Sequence, residues 1–441
     1  MSKNTIIKGA FILTITGFLT RVIGFFFRIF LSHSFGEELM GLYQLIFPIY
    51  ALCFSLSCAG IETALCRLVA SKTASGKSKE ANVLLYKALA ISVLISLGLT
   101  LALRKNATLI SIYLLGDLRC EELIQIIAFS LPFASIHSCI CGYYLGKKQI
   151  KIPAISQFVE QLFRVGTVYL AYQVMKANHS SPPIHLAVWG LVVGEIASSF
   201  FCLRYYTVKA NERCPLSSIF QNTELSKELG KLALPLTSTR ILTNLFQSVE
   251  TISIPLYLQK FGYTNTEALS TYGVFTGMAL PCILFPSAVT NAVSTMLLPT
   301  VAEIEGENNL ARLKHLIRRV IFFGFGLGSI CGITFLLFGP FIGNLLFKSQ
   351  LTGDFLRTLA WLCPFLYLNS TLISILNGLG KANQSFLINI GSLTVRICGV
   401  WFGIPYWGME GYLWGLLLSQ LLVSLSCVCM LNKYIHNKET I

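Results

Sequence analysis

The chain has 441 residues, of which 54% are hydrophobic and only 12% are charged. Its mean hydropathy is +0.67, and soluble globular domains carry about 25% charged residues. This composition excludes a soluble enzyme or binding domain and predicts an all-α polytopic membrane protein. The net charge of +14 lies mostly in the connections between apolar runs, so we predict membrane lipid and no nucleic acid as a partner.

The first apolar run, Ile6–Leu31, contains Arg21 and Arg28. It is long enough to span about 30 Å of hydrocarbon, so it is predicted as a retained transmembrane helix rather than a cleaved signal. Seven residues separate the two arginines, which places them on one helix face about 10 Å apart. A guanidinium in hydrocarbon costs from about 3 to more than 10 kcal/mol. That face is therefore predicted to line a wet cavity or an anionic partner.

Apolar runs that end at polar or Pro/Gly breaks predict about 12 transmembrane helices. Their residue ranges are 6–32, 41–70, 84–103, 121–145, 153–175, 184–207, 230–258, 268–300, 317–338, 355–379, 384–404 and 411–431. One alternating set of connections and tails holds 20 lysines and arginines, and the other set holds seven. This bias predicts a multi-pass protein of the bacterial cytoplasmic membrane with both termini inside.

The second half of the sequence repeats motifs of the first half. Leu145-Gly-Lys resembles Leu379-Gly-Lys, and Val188-Trp-Gly-Leu resembles Leu413-Trp-Gly-Leu. We therefore predict two parallel six-helix repeats around a central cavity. The N-terminal lobe is residues 1–210, an amphipathic cytoplasmic linker is residues 211–229, and the C-terminal lobe is residues 230–441.

The candidate substrate-binding residues are cations within the spans: Arg21, Arg28, Arg240 and Arg67. Arg67 lies near a span end and has an interface anchor as its alternative role. Guanidinium matches phosphate oxygens two at a time and keeps its charge at any working pH. A cavity with surplus arginine predicts a substrate that carries phosphate or pyrophosphate.

Other charged residues in the spans are secondary candidates. Glu62 and Glu250 are predicted as cavity or coupling acids, with a helix-packing ion pair as the alternative for each. Arg164 has Glu160 four residues before it, a spacing at which the two neutralise each other, whereas Arg396 has no local acid. Lys87 lies one turn from a helix end and is predicted to extend to water.

The motifs for catalysis are missing from the sequence, so no enzyme activity is predicted. The six histidines are scattered and mostly assigned to loops, and there is no Gly-rich phosphate loop, so we expect no metal site, no cofactor and no ATPase. Most of the 14 cysteines lie in apolar segments and are predicted to be small buried hydrophobic residues.

Four motifs are distinctive: Gly17-Phe-Leu-Thr-Arg-Val-Ile-Gly, Gly41-Leu-Tyr-Gln-Leu-Ile-Phe-Pro, Leu234-Pro-Leu-Thr-Ser-Thr-Arg and Tyr272-Gly-Val-Phe-Thr-Gly. They resemble motifs of the stage V sporulation protein B group of polysaccharide and lipid-linked oligosaccharide flippases. This group is related to multidrug extruders and to the lipid II flippase. The resemblance implies a two-lobed fold, alternating access, and cavity arginines at Arg21, Arg28 and Arg240 that take the pyrophosphate of an undecaprenyl-linked saccharide. Glu62 and Cys66-Arg67 depart from the family pattern, although Arg67 keeps the positive charge.

The leading functional hypothesis is a flippase that exports such a precursor for the cell wall, spore cortex peptidoglycan or surface polysaccharide. A cation-coupled multidrug extruder is the first alternative, and it predicts a cavity dominated by acids. A non-transporting scaffold that recruits cell-wall synthases as partners is the second, with the arginines holding a lipid phosphate. A membrane enzyme is third.

Overall fold

The computed structural model describes residues 3–209, 223–307 and 309–439, and this part of the chain is helical, with no strand. The predicted all-α class is therefore confirmed. Most of the predicted linker, residues 211–222, lies outside the described residues. Its last seven residues are the first two turns of a 39-residue helix.

The helices form two compact units, which interleave along the chain. Unit 1 comprises Met1–Phe27 and Leu45–Ser248, and unit 2 comprises Arg28–Gln44 and Val249–Ile441. The lobe boundaries at residues 210 and 230 stay a prediction. Two helices, α1 and α10, contribute residues to both units because each contains a unit boundary.

The helices in the first part of the chain, with two π-helical turns between them, are α1 (Lys3–Leu45), α2 (Phe47–Phe54), a π turn (Ser55–Ala59), α3 (Gly60–Ala74), α4 (Ser78–Lys105), α5 (Ala107–Leu109), a π turn (Ile110–Leu115), α6 (Cys120–Ala128), α7 (Ser130–Gly146), α8 (Lys151–Ala177), α9 (His185–Lys209) and α10 (Thr223–Phe261). The helices that follow are α11 (Asn265–Gly273), a π turn (Val274–Ala279), α12 (Leu280–Leu284), α13 (Ser287–Gly306), α14 (Leu310–Phe347), α15 (Gln350–Ala360), α16 (Cys363–Gly378), α17 (Ala382–Cys398), a π turn (Gly399–Gly403) and α18 (Ile404–Glu439).

Among the described residues, five helical stretches are long and apolar enough to cross a membrane, and the number rises to eight if each of three bent helix pairs is one span. Two of the five, Ile15–Ala74 and Ala382–Lys438, have 60 and 57 residues, and about 20 residues are enough for one crossing. Counting two spans in each of these and adding α8 and α10 gives the twelve predicted spans.

Two glycines divide helices α1 and α18 near the positions where a new span is predicted to begin. Gly36 in α1 has φ of 79° and Gly408 in α18 has φ of 60°. Positive φ is strained for residues with a Cβ and readily adopted by glycine. Pro364 in the first turn of α16 has a similar effect, since α15 and α16 meet at 58°. These residues explain why long apolar sequences become separate spans.

Each unit has its own apolar core. In unit 1, α3, α4, α7 and α9 enclose Leu65, Leu84 and Ile140, and the start of α10 packs there through Leu225 and Leu229. In unit 2, α13, α14, α16 and α18 pack around fully buried side chains such as Val301, Leu372 and Cys427. Large apolar side chains are also exposed, among them Leu101 and Phe322, as expected for surfaces that face lipid.

Candidate functional site

Three of the predicted cavity cations lie in unit 1 without an ion-pair partner. Arg21 on α1, Arg67 on α3 and Arg240 on α10 have exposed side chains. Within the described part of the chain, none of the three has a carboxylate within ion-pair distance. An arginine keeps its charge at all working pH values, so each offers a full positive charge with free donors.

The position of Arg240 follows from how α10 packs against α2 and α3. The Ser248 hydroxyl donates to the Pro48 carbonyl at 3.1 Å, and the Asn244 amide donates to the Ala51 carbonyl at 3.3 Å. A Cβ on Gly60 would lie 2.7 Å from the Cα of Thr237. Along these contacts the residue numbers rise through α2 and α3 as they fall through α10, so α10 runs antiparallel to α2 and α3. Arg240 is therefore level with the π turn that joins α2 to α3.

The same packing separates Arg67 from Arg240. Lys72, near the end of α3, pairs with Glu228 near the start of α10 at 3.0 Å. This continues the antiparallel register and places Arg67 level with Gly230, about ten residues from Arg240. At 1.5 Å per residue the two guanidinium groups are attached about 15 Å apart along the axis. Arg67 therefore does not join Arg240 in one compact group.

Arg28 lies in unit 2, in the half of α1 that packs on the broken helix α11–α12. Its Nη1 donates to the Thr276 carbonyl at 3.4 Å, within the π turn. The close approach of helices α1 and α11 depends on glycine, since a Cβ on Gly273 would lie 2.5 Å from the backbone nitrogen of Gly41. The Arg28 side chain is half-buried and is held partly by backbone, unlike the three exposed arginines.

The two secondary arginines form ion pairs. Arg164 contacts Glu160 at 2.5 Å, the pair that their spacing predicted. Arg396 contacts Glu250 at 2.7 Å, and the same carboxylate oxygen accepts a hydrogen bond from Tyr412 at 2.7 Å. The acid for Arg396 comes from α10, 146 residues away in sequence, so local spacing could not reveal it.

Glu62 and Lys87 both have partners inside unit 1. The half-buried Glu62 accepts a hydrogen bond from the Ser138 hydroxyl at 2.6 Å. Lys87 is only 3% exposed, and its Nζ donates to the Ser226 hydroxyl at 2.7 Å. The prediction that Lys87 extends to water is therefore wrong, because the start of α10 covers it.

A polar cluster around His137, which no sequence motif indicated, lies between α7, α8 and α9. His137 Nδ1 is 3.4 Å from Glu195 Oε2 and 3.2 Å from the Ser198 hydroxyl, and its Nε2 is 3.0 Å from the Ser156 hydroxyl. Glu195 is 8% exposed. We call His137, Ser156, Glu160, Glu195 and Ser198 the His137 cluster. The available signal was a histidine at the centre of a predicted span.

The assignment of most histidines to loops is wrong. All of them except His179 lie in helices. Two groups of potential metal ligands meet at His137, one with Cys141 and Cys202 and the other with Glu160 and Glu195, and the ligand atoms of each group lie within 4.8 Å of one another. Each group offers three ligand residues, one of them a histidine, and many zinc sites are built from three such residues. The residue types present therefore fit a metal ion.

The fold agrees with solved membrane transporters along nearly the whole chain. An inward-facing multidrug resistance transporter of the MATE family has a TM-score of 0.73 at 15% identity, with 96% of each chain covered. The lipid II flippase MurJ in an inward closed conformation also has a TM-score of 0.73 at 15% identity, over 95% of this chain and 87% of that one. The described part of the chain thus has the fold that these two solved proteins share.

The family follows from the sequence comparisons. A family model described as polysaccharide biosynthesis protein matches residues 6–305, and the chain belongs to this family. The MatE family model matches residues 240–402. Stage V sporulation protein B of Bacillus subtilis (strain 168) is 26% identical over 446 residues, which cover 98% of this chain and 85% of that protein. The resemblance noted from the motifs is therefore confirmed.

Proposed function

We propose that this protein is a flippase that exports an undecaprenyl-pyrophosphate-linked saccharide across the cytoplasmic membrane, with both termini in the cytoplasm. The saccharide is a precursor of the cell wall, of spore cortex peptidoglycan or of surface polysaccharide. In this proposal, Arg21 and Arg240 bind the pyrophosphate, and Arg28 contributes a further positive charge to its binding. Arg67, near the cytoplasmic end of α3, attracts the pyrophosphate as it enters from the cytoplasmic side. One structural neighbour is a lipid II flippase, which supports a lipid-linked cargo.

The observation that carries the proposal is the difference between paired and unpaired arginines. Arg164 and Arg396 each have a glutamate at 2.5 and 2.7 Å, whereas Arg21 and Arg240 have none among the described residues. An arginine in a transmembrane segment is costly without an anionic partner. A pyrophosphate supplies that partner, because two guanidinium forks match its oxygens with bidentate hydrogen bonds.

Alternating access by the two predicted lobes is the mechanism that the proposal includes. The inward-open and outward-open states need to lie within a few kcal/mol of each other so that both are populated. A membrane potential contributes about 2.3 kcal/mol per charge per 100 mV. Because the empty carrier has net positive charge at the arginines, a potential that is negative inside favours its return to the cytoplasmic side.

Proteoliposomes with fluorescent lipid II test this function directly. We expect the label to exchange between leaflets in the wild type, and Arg21→Ala with Arg240→Ala to reduce the rate about 10-fold or more, because each hydrogen bond to a charged group is worth about 1.5–3 kcal/mol. Arg312→Ala is the matched control, since Arg312 is half-exposed and pairs with Glu307 at 2.7 Å. Full activity of the double variant would remove the mechanism.

Lysine variants and a cargo panel sharpen the assignment. Arg21→Lys and Arg240→Lys keep the charge and lose the planar fork, so we expect rates between those of the wild type and the alanine variants. Undecaprenyl-linked donors with different sugars identify the saccharide. Tight binding of these lipids without exchange between leaflets would favour the scaffold for cell-wall synthases instead.

A multidrug extruder is the second candidate, and the MatE match over residues 240–402 favours it. A cationic drug needs a free acid. Glu160 and Glu250 pair with arginines and Glu195 pairs with His137, which leaves Glu62, bound by the Ser138 hydroxyl, as the candidate among the four predicted acids of the spans. Growth of a drug-sensitive host that expresses the protein decides between the two. Protection against cationic dyes that survives loss of Arg21 and Arg240 would support the extruder.

A further inference from the structure

The first turns of α10 pack one stripe of apolar side chains into the core of unit 1. Leu225 and Leu229 are buried there, and Leu236 packs against the same core cluster further along the helix. These residues are separated by four and then seven positions, a spacing that keeps them on one side of a helix. The stripe is therefore apolar as far as the core of unit 1 covers it.

Beyond Leu236 the same stripe of α10 becomes polar and loses its cover. The next residues at steps of four, three and four are Arg240, Thr243 and Gln247. Arg240 and Gln247 are exposed, and Thr243 is half-buried. We call these three residues the polar strip of α10. Seven positions separate its ends, so the strip extends about 10 Å along the helix axis.

The other exposed side of α10 is apolar. Leu234, Leu242 and Leu245 are all exposed, and at about 100° per residue they lie on roughly the opposite side of the helix from the polar strip. Exposed leucines suit hydrocarbon, whereas an exposed guanidinium or amide in hydrocarbon loses its hydrogen bonds to water at a high cost. Within this predicted span, the leucines therefore face lipid and the polar strip faces water.

The polar strip offers hydrogen-bond acceptors as well as donors. The Thr243 hydroxyl donates to the Thr239 carbonyl at 3.0 Å, so its oxygen is left to accept a hydrogen bond from outside the helix. The Gln247 amide forms no hydrogen bond within the described part of the chain, and it has two donor hydrogens and an acceptor oxygen. Phosphate oxygens need donors, which Arg240 supplies. A sugar hydroxyl both donates and accepts, so it matches Thr243 and Gln247.

We propose that Thr243 and Gln247 are a saccharide-binding subsite, which hydrogen-bonds the sugar next to the pyrophosphate while Arg240 binds the pyrophosphate itself. This inference rests on the proposed function and adds the residues that recognise the sugar part of the cargo. Gln247 is the main specificity-determining residue, because its amide is exposed and has all its hydrogen-bonding groups available. The subsite distinguishes a lipid that carries a sugar from the same lipid pyrophosphate without one.

Thiol labelling in lipid nanodiscs tests which side of α10 faces water, and it needs no cargo. A charged methanethiosulfonate reagent stays in water and reacts with thiolates there. After subtraction of the labelling of the native cysteines, we expect Gln247→Cys to react at least about 10-fold faster than Leu245→Cys. Equal rates for the two variants would overturn the assignment of the two faces and with it the subsite.

Binding of two lipids to the protein in nanodiscs tests recognition of the sugar. Gln247→Met keeps the length of the side chain, and we expect it to weaken binding of lipid II about fivefold and to leave binding of undecaprenyl pyrophosphate unchanged. Thr243→Val should act in the same direction, whereas Arg240→Ala should weaken both lipids. Ser238→Ala is the matched control, because the Ser238 hydroxyl donates to the Leu234 carbonyl at 2.9 Å on the apolar side, and it should weaken neither.

The outcomes separate the subsite from the flippase assignment. If lipid II moves between leaflets in the wild type but Gln247→Met binds it with unchanged affinity, the subsite fails and the flippase stands. Equal weakening of both lipids in Gln247→Met would also overturn the subsite, because the residue would then act on the pyrophosphate or on the fold. If the wild type binds none of the undecaprenyl-linked donors, the flippase assignment fails and the subsite fails with it.

Discussion

Replacing Glu250 with glutamine removes the anion from a buried ion pair in unit 2. The Glu250 side chain is 2% exposed and the Arg396 side chain 24% exposed, and their atoms are 2.7 Å apart. The variant leaves the Arg396 charge without its partner and weakens the bond from Tyr412. Breaking a buried pair on one side costs about 3–5 kcal/mol.

We expect Glu250→Gln to lower the apparent unfolding temperature in detergent by about 10 °C, since 1 kcal/mol corresponds to roughly 2–4 °C for a unit of about 200 residues. Glu250→Gln with Arg396→Gln should recover most of the loss, because the unpaired charge is gone. Tryptophan fluorescence during heating measures both. Glu307→Gln is the control, since the surface pair of Glu307 with Arg312 should contribute less than about 1 kcal/mol. An unchanged unfolding temperature in the single variant, or equal loss in the double variant, would refute this account of the pair.

Two further predictions concern unit 1. Gly60→Ala should lower the unfolding temperature by an amount equivalent to about 1–3 kcal/mol, because the added Cβ would meet the Thr237 backbone at 2.6 Å. Gly98→Ala is the control and should not lower it, because a Cβ there would have nothing within 4 Å. Equal losses in the two variants would contradict the close packing of Gly60 on Thr237. The hydrogen bond from Lys72 lowers the pKa of Glu80, and burial opposes this with a smaller effect. The pair therefore stabilises the folded state at pH values above the unfolded pKa of about 4.5, and this contribution is lost as the pH falls below that value. We expect Lys72→Met to reduce the fall in unfolding temperature that occurs as the pH drops below about 4.5. An unchanged fall in this variant would contradict the contribution assigned to the Lys72–Glu80 pair.

Much of the architecture follows from the sequence because a bilayer restricts the possibilities. Every backbone polar group in hydrocarbon must be paired internally, so a long apolar run can only be a helix. Apolar length and the Pro/Gly breaks predicted the spans. Gly36 and Gly408 show why the breaks fall where they do, because their positive φ ends one span and begins the next. The spacing of Glu160 and Arg164 likewise determined their pairing on one helix turn.

The tertiary structure decided which charges are paired and which are free. Arg396 and Arg21 are alike in sequence, since neither has an acid one turn away, yet Glu250 reaches Arg396 from a distant helix while Arg21 is exposed. Lys87 is buried because α10 covers it, and His137 meets Glu195 because α7 packs against α9. Helix periodicity fixes neighbours within a single turn. Partners on different helices depend on how those helices pack, and one chain's sequence carries no local signal for that.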